Sequence, residues 1–383
     1  MKNRKTALVL SGGGSRGAYQ CGVWQALTEL GIKIDIVVGV SVGAINGSMV
    51  VQGDVAKTAN LWREMETDMV FDVEPDISLA EFAKEMLKNQ GVGSTGLQKM
   101  LSEYVDEDVV RNSPIDFGLS VVELPSFKPH FFWKEDIPKG QINDFITASA
   151  SAFPAIHTHK IGNKVYADGG YEDVCPAYKA LEKGATEVIA VYLAALGRYR
   201  PERMEQVPNL RVIQSKWDLG DVFTFDTLRS KRLLRLGYLD AMKSYDIFDG
   251  EYYTFVKGEF EPEELKLADH AGHLFQVDPL ILYRKELFME NLASAVQQAR
   301  LDMNELEGLD IINEFPDFTP AKIRTLLKKV NKKTATLFIA ENICEKGADS
   351  LFLTKSVSML FEEEVQTAKY LIGTGLLQNF CAI

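Results

Sequence analysis

Twice near its N-terminus the chain runs from a short apolar segment, through a glycine-flanked turn, into a helical pattern. Thr6–Leu10 leads through Ser11-Gly12-Gly13-Gly14-Ser15-Arg16-Gly17 into a helical stretch over 18–30, closed by Gly31. Residues 34–40 then lead through Ser41 into a second helical stretch over 42–51. Strand followed by helix followed by strand is the signature of a parallel sheet, because parallel neighbours need a long crossover and a helix supplies it. Further strand patterns fall at 115–123, 164–167, 187–193 and 210–214, with helical patterns at 79–88, 97–105 and 143–150. The expected fold class is therefore α/β, a three-layer α/β/α arrangement around a mostly parallel sheet. From about Phe225 the pattern turns helical, over 228–245 and most of 280–377. We expect a catalytic-type domain over 1–250 and a mainly helical C-terminal region over 251–383, with the boundary near Asp249-Gly250.

Charge narrows the partners. The formal net charge of −12 disfavours nucleic acid, which needs an excess of Lys and Arg, and weakens attraction to an anionic membrane. The most apolar stretch, 36–51, is broken by Ser41, Asn46 and Ser48 and is too short and polar to span a bilayer. No signal-peptide pattern follows the charged N-terminus. Cys21, Cys175, Cys344 and Cys381 show no CxxC spacing, so free thiols in a reducing cytoplasm are expected.

Three loops carry the chemistry. The glycine loop after the first strand offers unpaired N–H groups and a helix N-terminus, which suits an anion. Gly12, Gly14 and Gly17 also satisfy a dinucleotide-binding GxGxxG. That reading needs an acidic residue at the far end of the second strand. Asp35 sits at its near end, and the far end carries Gly39-Val40-Ser41-Val42-Gly43 instead. This second motif has the form of a nucleophile elbow, in which flanking glycines let a strained serine project at a helix N-terminus. On adjacent parallel strands both loops open on one edge of the sheet. The third is Asp168-Gly169-Gly170, after a strand. A bare Asp-Gly-Gly is usually a tight turn, yet a serine nucleophile needs a base, and an aspartate at a strand end is a candidate.

Together the three motifs resemble the patatin-like phospholipase family across about residues 6–200. Its pattern is a GGGxRG loop, a GxSxG elbow and a DG[GA] motif, found here in that order. The stretch 148–154 before the third motif resembles the family's helix-to-loop segment. The resemblance implies a lipid acyl hydrolase of phospholipase A type, working through an acyl-enzyme. It implies Ser41 as nucleophile and Asp168 as base, without histidine, metal or cofactor. It also implies an oxyanion hole at Gly12, Gly13 and Gly14, built on the Gly13 and Gly14 amides with Arg16 holding the loop. Gly39 and Gly43 frame the elbow; Gly169 and Gly170 follow the base. One departure is Val174, where the family often has asparagine. The implied partner is a lipid or phospholipid, met at a membrane surface by a peripheral protein.

Alternatives use the same residues or their neighbours. An esterase or thioesterase on other acyl groups shares the site, and a catalytically silent lipid-binding scaffold shares the fold. A Ser-His-Asp triad would draw on His130, His157, His159, His270 or His273, and His157-Thr158-His159 has the look of a metal pair without a third ligand. The 228–245 helix carries Arg229, Lys231, Arg232, Arg235 and Lys243 among leucines, fitting either a membrane-surface helix or a core helix with a solvated basic face. Phe131-Phe132-Trp133 reads as a buried strand or an acyl-chain wall. Residues 251–383 are open to capping the lipid entrance, pairing two copies in a homodimer, or regulation.

Overall fold

The computed structural model describes residues 4–305 and 331–377. The chain divides into two compact units, Met1–Asp246 and Ile247–Ile383.

The first unit is built on one eight-stranded sheet: β1 (Thr6–Leu10), β2 (Ile36–Gly39), β3 (Asp116–Leu124), β4 (Lys128–Trp133), β5 (His159–Ile161), β6 (Lys164–Asp168), β7 (Glu187–Val191) and β8 (Leu210–Ile213). From β8 through β7, β1 and β2 to β3 every pairing is parallel. Beyond β3 the sheet turns antiparallel, through β4, β6 and β5, so it is more mixed than the strand–helix alternation suggests. Every residue of β1 and β2 is buried, which is why both read as unbroken apolar runs and not as alternating ones.

The flanking helices are α1 (Gly17–Glu29), α2 (Val42–Gln52), α3 (Val55–Glu64), α4 (Leu79–Asn89), α5 (Thr95–Tyr104), α6 (Glu107–Asn112), α7 (Ile142–Ser149), α8 (Pro201–Met204) and α9 (Thr227–Ser244). Helices α3 to α6 form an insertion between α2 and β3. The basic helix of the sequence reading is α9. It packs along α1 with Leu233, Leu234, Leu236 and Leu239 buried, which makes it a core helix.

Register explains where the chemistry collects. Residues 118–119 of β3 pair with both β2 and β4, and residues 121–123 pair with both β4 and β6. A strand has two edges, so β2 and β6 must share one edge of β3. They run along it in opposite directions: Gly39 of β2 lies opposite Leu119, and Asp168 of β6 opposite Val121. The C-terminal ends of the two strands therefore meet head-on across Ser120.

The second unit carries α10 (Pro262–Phe275), α11 (Lys285–Glu305), α12 (Lys332–Lys346), α13 (Lys355–Ser358) and α14 (Glu362–Gly373). It also holds a three-stranded sheet of β9 (Phe248–Asp249), β10 (Thr254–Val256) and β11 (Leu282–Tyr283), which the helical expectation did not contain. Phe288 of α11 packs on Tyr253, Phe255 and Tyr283 of that sheet region with ring centroids 5.0–5.8 Å apart. Part of the helical pattern expected over 280–377 lies outside the described residues. Cys21 and Cys175 are free and buried, as expected, but Cys344 is disulfide-bonded. Cys381 lies outside the described residues, and cysteine usage no longer argues for a reducing compartment.

Candidate active site

Ser41 sits between β2 and α2 with φ 57° and ψ −127°, a conformation that costs a side-chain-bearing residue on the order of 1–3 kcal/mol. The turn is tight because the start of α2 lies on the end of β1. A Cβ on Gly43 would stand 2.0 Å from the Leu10 carbonyl oxygen, and one on Gly39 would stand 2.3 Å from the Gly43 carbonyl oxygen. Only glycine fits at either side of the serine. The strain projects Ser41 at the N-terminus of α2, where the helix dipole favours developing negative charge.

The glycine loop lies against this elbow. A Cβ on Gly12 would be 3.5 Å from Ser41 Cβ, an ordinary contact, so the loop passes directly beside the serine. Its amides divide into two kinds. The Gly12 N–H donates to the Val174 carbonyl (3.0 Å) and the Ser15 N–H to the Val222 carbonyl (3.1 Å). Between them, the Gly13 and Gly14 N–H groups have no acceptor among the described residues. Two adjacent unpaired donors beside a serine hydroxyl are what a tetrahedral oxyanion requires. Gly12 contributes space beside the serine and not a donor. Gly14 takes φ +54°, and a Cβ there would lie 1.9 Å from the Val222 oxygen.

Arg16 acts behind the loop. Its guanidinium donates to the carbonyls of Gly220, Leu193 and Ala194 at 2.5–3.0 Å, fastening the glycine loop to two neighbouring loops. Val174, the departure from the family pattern, serves through its backbone: its carbonyl holds Gly12 and its N–H donates to Arg198. Any residue except proline can supply those two bonds.

Asp168 ends β6 and is buried. Burial raises its carboxyl to about 6, while the nearby Ser41 side chain and the hydrogen bond from the Gly170 N–H pull the other way. The Gly170 bond is 2.7 Å. Gly169 rests on β3, where a Cβ would meet the Ser120 carbonyl at 2.4 Å. The structure thus brings Ser41, Asp168 and the Gly13 and Gly14 amides together.

They open into a cavity of about 330 Å³. Its walls are apolar: Val42 and Ile45 of α2, Met65, Phe71, Met86, Leu97 and Met100 of the insertion, and Phe223 and Phe225 of the loop before α9. That loop is pinned by the Asp221–Arg229 ion pair (2.5 Å) and by stacking of Phe223 on Phe82 (5.5 Å between centroids). Phe153, Tyr171 and Leu196 line the mouth and remain exposed, Leu196 by 75%. Phe131 to Trp133 lie in β4 and are not among the residues lining the cavity.

Several residues escaped the sequence reading. Buried Gln20 donates to the Ser11 carbonyl (2.7 Å), Asn46 donates to Gln20 (2.9 Å), and Trp62 donates to Asn46 (2.9 Å), so a polar chain runs from the glycine loop to the cavity wall. Ser149, also unforeseen, accepts the Ser41 backbone N–H. The histidines lie elsewhere: His159 pairs with Asp144 (3.1 Å), His130 with Glu123 (2.9 Å), and among the described residues none lines the cavity. Asp35 accepts the Thr6 N–H at the opposite end of the strand from these loops, away from any dinucleotide position.

The chain is similar to several known proteins. Residues 8–181 match the sequence profile described as Patatin-like phospholipase. "Lysophospholipase NTE1" of Debaryomyces hansenii is 27% identical over 231 residues, covering 57% of this chain and 14% of that protein. "Patatin-like phospholipase domain-containing protein 7" of Rattus norvegicus is 29% identical over 192 residues, covering 48% of this chain and 13% of that one. The chain thus spans about one seventh of the length of these curated relatives. Among solved structures, VipD from Legionella pneumophila aligns over 98% of this chain and 88% of its own, at 15% identity and a TM-score of 0.40.

Proposed function

We propose that this chain, whose residues 8–181 match the patatin-like phospholipase family, is a lipid acyl hydrolase that cleaves fatty-acyl esters through an acyl-enzyme on Ser41. The observation that carries the reading is one setting: Ser41 and the buried Asp168 line the same apolar cavity, together with two glycines whose amides have no acceptor among the described residues.

In the proposed mechanism the acyl chain lies against Met65, Phe71 and Met100 and brings the ester carbonyl beside Ser41. Asp168 accepts the hydroxyl proton as Ser41 Oγ attacks. The oxyanion develops against the Gly13 and Gly14 N–H groups, each of which lowers the barrier by about 3 kcal/mol. The proton then passes to the departing alcohol, and a water deprotonated by Asp168 releases the fatty acid. A base near 6 suits this work at neutral pH, being ionised yet not strongly held.

The exposed apolar mouth supports a substrate met at a membrane surface, with residues 1–250 as the catalytic domain and 251–383 as an accessory region. No helix among the described residues is long and apolar enough to cross a membrane. The test is fluorophosphonate labelling and fatty-acid release from mixed phospholipids. Labelling and release by the wild type, with both lost in Ser41→Ala, is expected; neither from any ester overturns the reading.

A further inference from the structure

Three hydroxyls stand within five residues at the end of α7, and two behave as helix hydroxyls usually do. Thr147 Oγ1 donates to the Asn143 carbonyl (2.8 Å) and Ser151 Oγ to the Thr147 carbonyl (2.9 Å), each four residues back. Ser149 does not. Its Oγ is fully buried, and its one bond among the described residues is to the backbone N–H of Ser41, 3.0 Å away in another element. Two residues on, the Ser151 carbonyl accepts the backbone N–H of Asp168 at 2.9 Å. One short turn therefore grips the backbone of the serine and of the aspartate, which arrive on strands running head-on. Neither β2 nor β6 bonds to the other; both bond to β3.

We propose that residues 149–151 are a clamp that sets the Ser41–Asp168 spacing, with Ser149 the positioning residue for the nucleophile. Resting on the hydrolase reading above, the inference assigns Ser149 no contact with substrate. Its oxygen fixes the peptide plane that enters the strained Ser41, and so fixes where Oγ points. It also occupies the Ser41 amide, which leaves Gly13 and Gly14 as the donors of the oxyanion hole. Without that acceptor the elbow carries a buried, unpaired N–H and is free to relax away from Asp168.

The test compares Ser149→Ala with Thr147→Ala, which deletes a buried hydroxyl one half-turn away that bonds only within its own helix. Hydrolysis of a soluble p-nitrophenyl acyl ester is measured on the full chain. Ser149→Ala is expected to lose about 10- to 100-fold in kcat, the scale of a misplaced reacting group, with KM within about twofold. Phosphonylation of Ser41 slows by the same factor, and Thr147→Ala stays within about twofold of wild type. The acid limb of the pH profile should move upward in Ser149→Ala, because the Ser41 side chain in its present place holds the Asp168 carboxyl down. A purely structural role would leave that limb in place. Ser149→Cys, a weaker acceptor of similar size, falls between the two and serves if the alanine variant does not fold. Wild-type kcat and pH profile in folded Ser149→Ala or Ser149→Cys, or equal losses in the Thr147 control, overturn the clamp. Full activity in Ser41→Ala would sink the hydrolase reading itself, and is read separately.

Discussion

The Ser41 side chain and the Gly170 N–H pull the Asp168 carboxyl down against the burial that raises it, and no charged group among the described residues tunes it. The base is set by its surroundings and not by an ion pair, so its behaviour should be insensitive to salt.

Removing either partner should stop the chemistry without unfolding the protein. Asp168→Asn keeps an oxygen for the Gly170 N–H but cannot take a proton. We expect it to lower fatty-acid release by about 10³- to 10⁴-fold, on the scale of losing the base or its orienting partner in a serine hydrolase. Circular dichroism should be unchanged. Release within tenfold of wild type would mean that another group is the base.

The pH profile follows from the same carboxylate. Asp168 must be ionised to act, so kcat/KM should rise through an apparent value of about 6 and level off above it. A limb near 4 would show an exposed base.

Stability should move the opposite way. The folded-state pKa of Asp168 is raised above its ordinary value of 3.8 to about 6, so its contribution to stability is full below 3.8 and lost as pH climbs through 6. Asparagine does not ionise. Asp168→Asn should therefore be more stable than wild type at pH 8, by up to about 3 kcal/mol, and the gap should close as pH falls from 6 to 4. Thermal melts of both proteins across this range check the sign.

Chain length should be read by the methionines of the wall. Met100→Trp or Met65→Trp fills space beside the proposed acyl path. Such variants should lose at least about tenfold in kcat/KM on long acyl esters while keeping activity on butyryl esters, the discrimination expected of a few methylenes. Parallel losses on both would place the acyl chain elsewhere.

The exposed mouth should matter only at a lipid surface. Leu196→Asp and Phe153→Asp, at side chains 75% and 40% exposed, should weaken hydrolysis of phospholipid vesicles several-fold and leave a soluble ester unaffected. Equal effects on both substrates would argue for a structural role.

Much of this arrangement was legible in the chain. The parallel core announced itself because β1 and β2 are buried on both faces and end on glycines that nothing but a tight turn explains. The three loops were visible for the same reason. The arrival of Asp168 was not, since register along β3 decides it, and antiparallel pairing with β6 leaves no local mark. Ser149 was hidden because one serine in a run of small residues looks like its neighbours until the Ser41 amide is placed against it. The cavity wall was hidden too: Met65, Leu97 and Met100 look the same whether they face a sheet or an empty channel. Strands of two or three residues, as in β9 to β11, are too short for alternation to show.

The head-on meeting of β2 and β6 bears on how the protein comes into being. Ser41 lies early in the chain, in a contact among near neighbours, whereas Asp168 reaches it only when a distant strand closes on β3, a slow step because its loop is long. A refolding chain should pass through a stage in which the elbow exists without its base. Recovery of esterase activity would then lag behind recovery of helical signal, and the delay would time the arrival of β6 on β3.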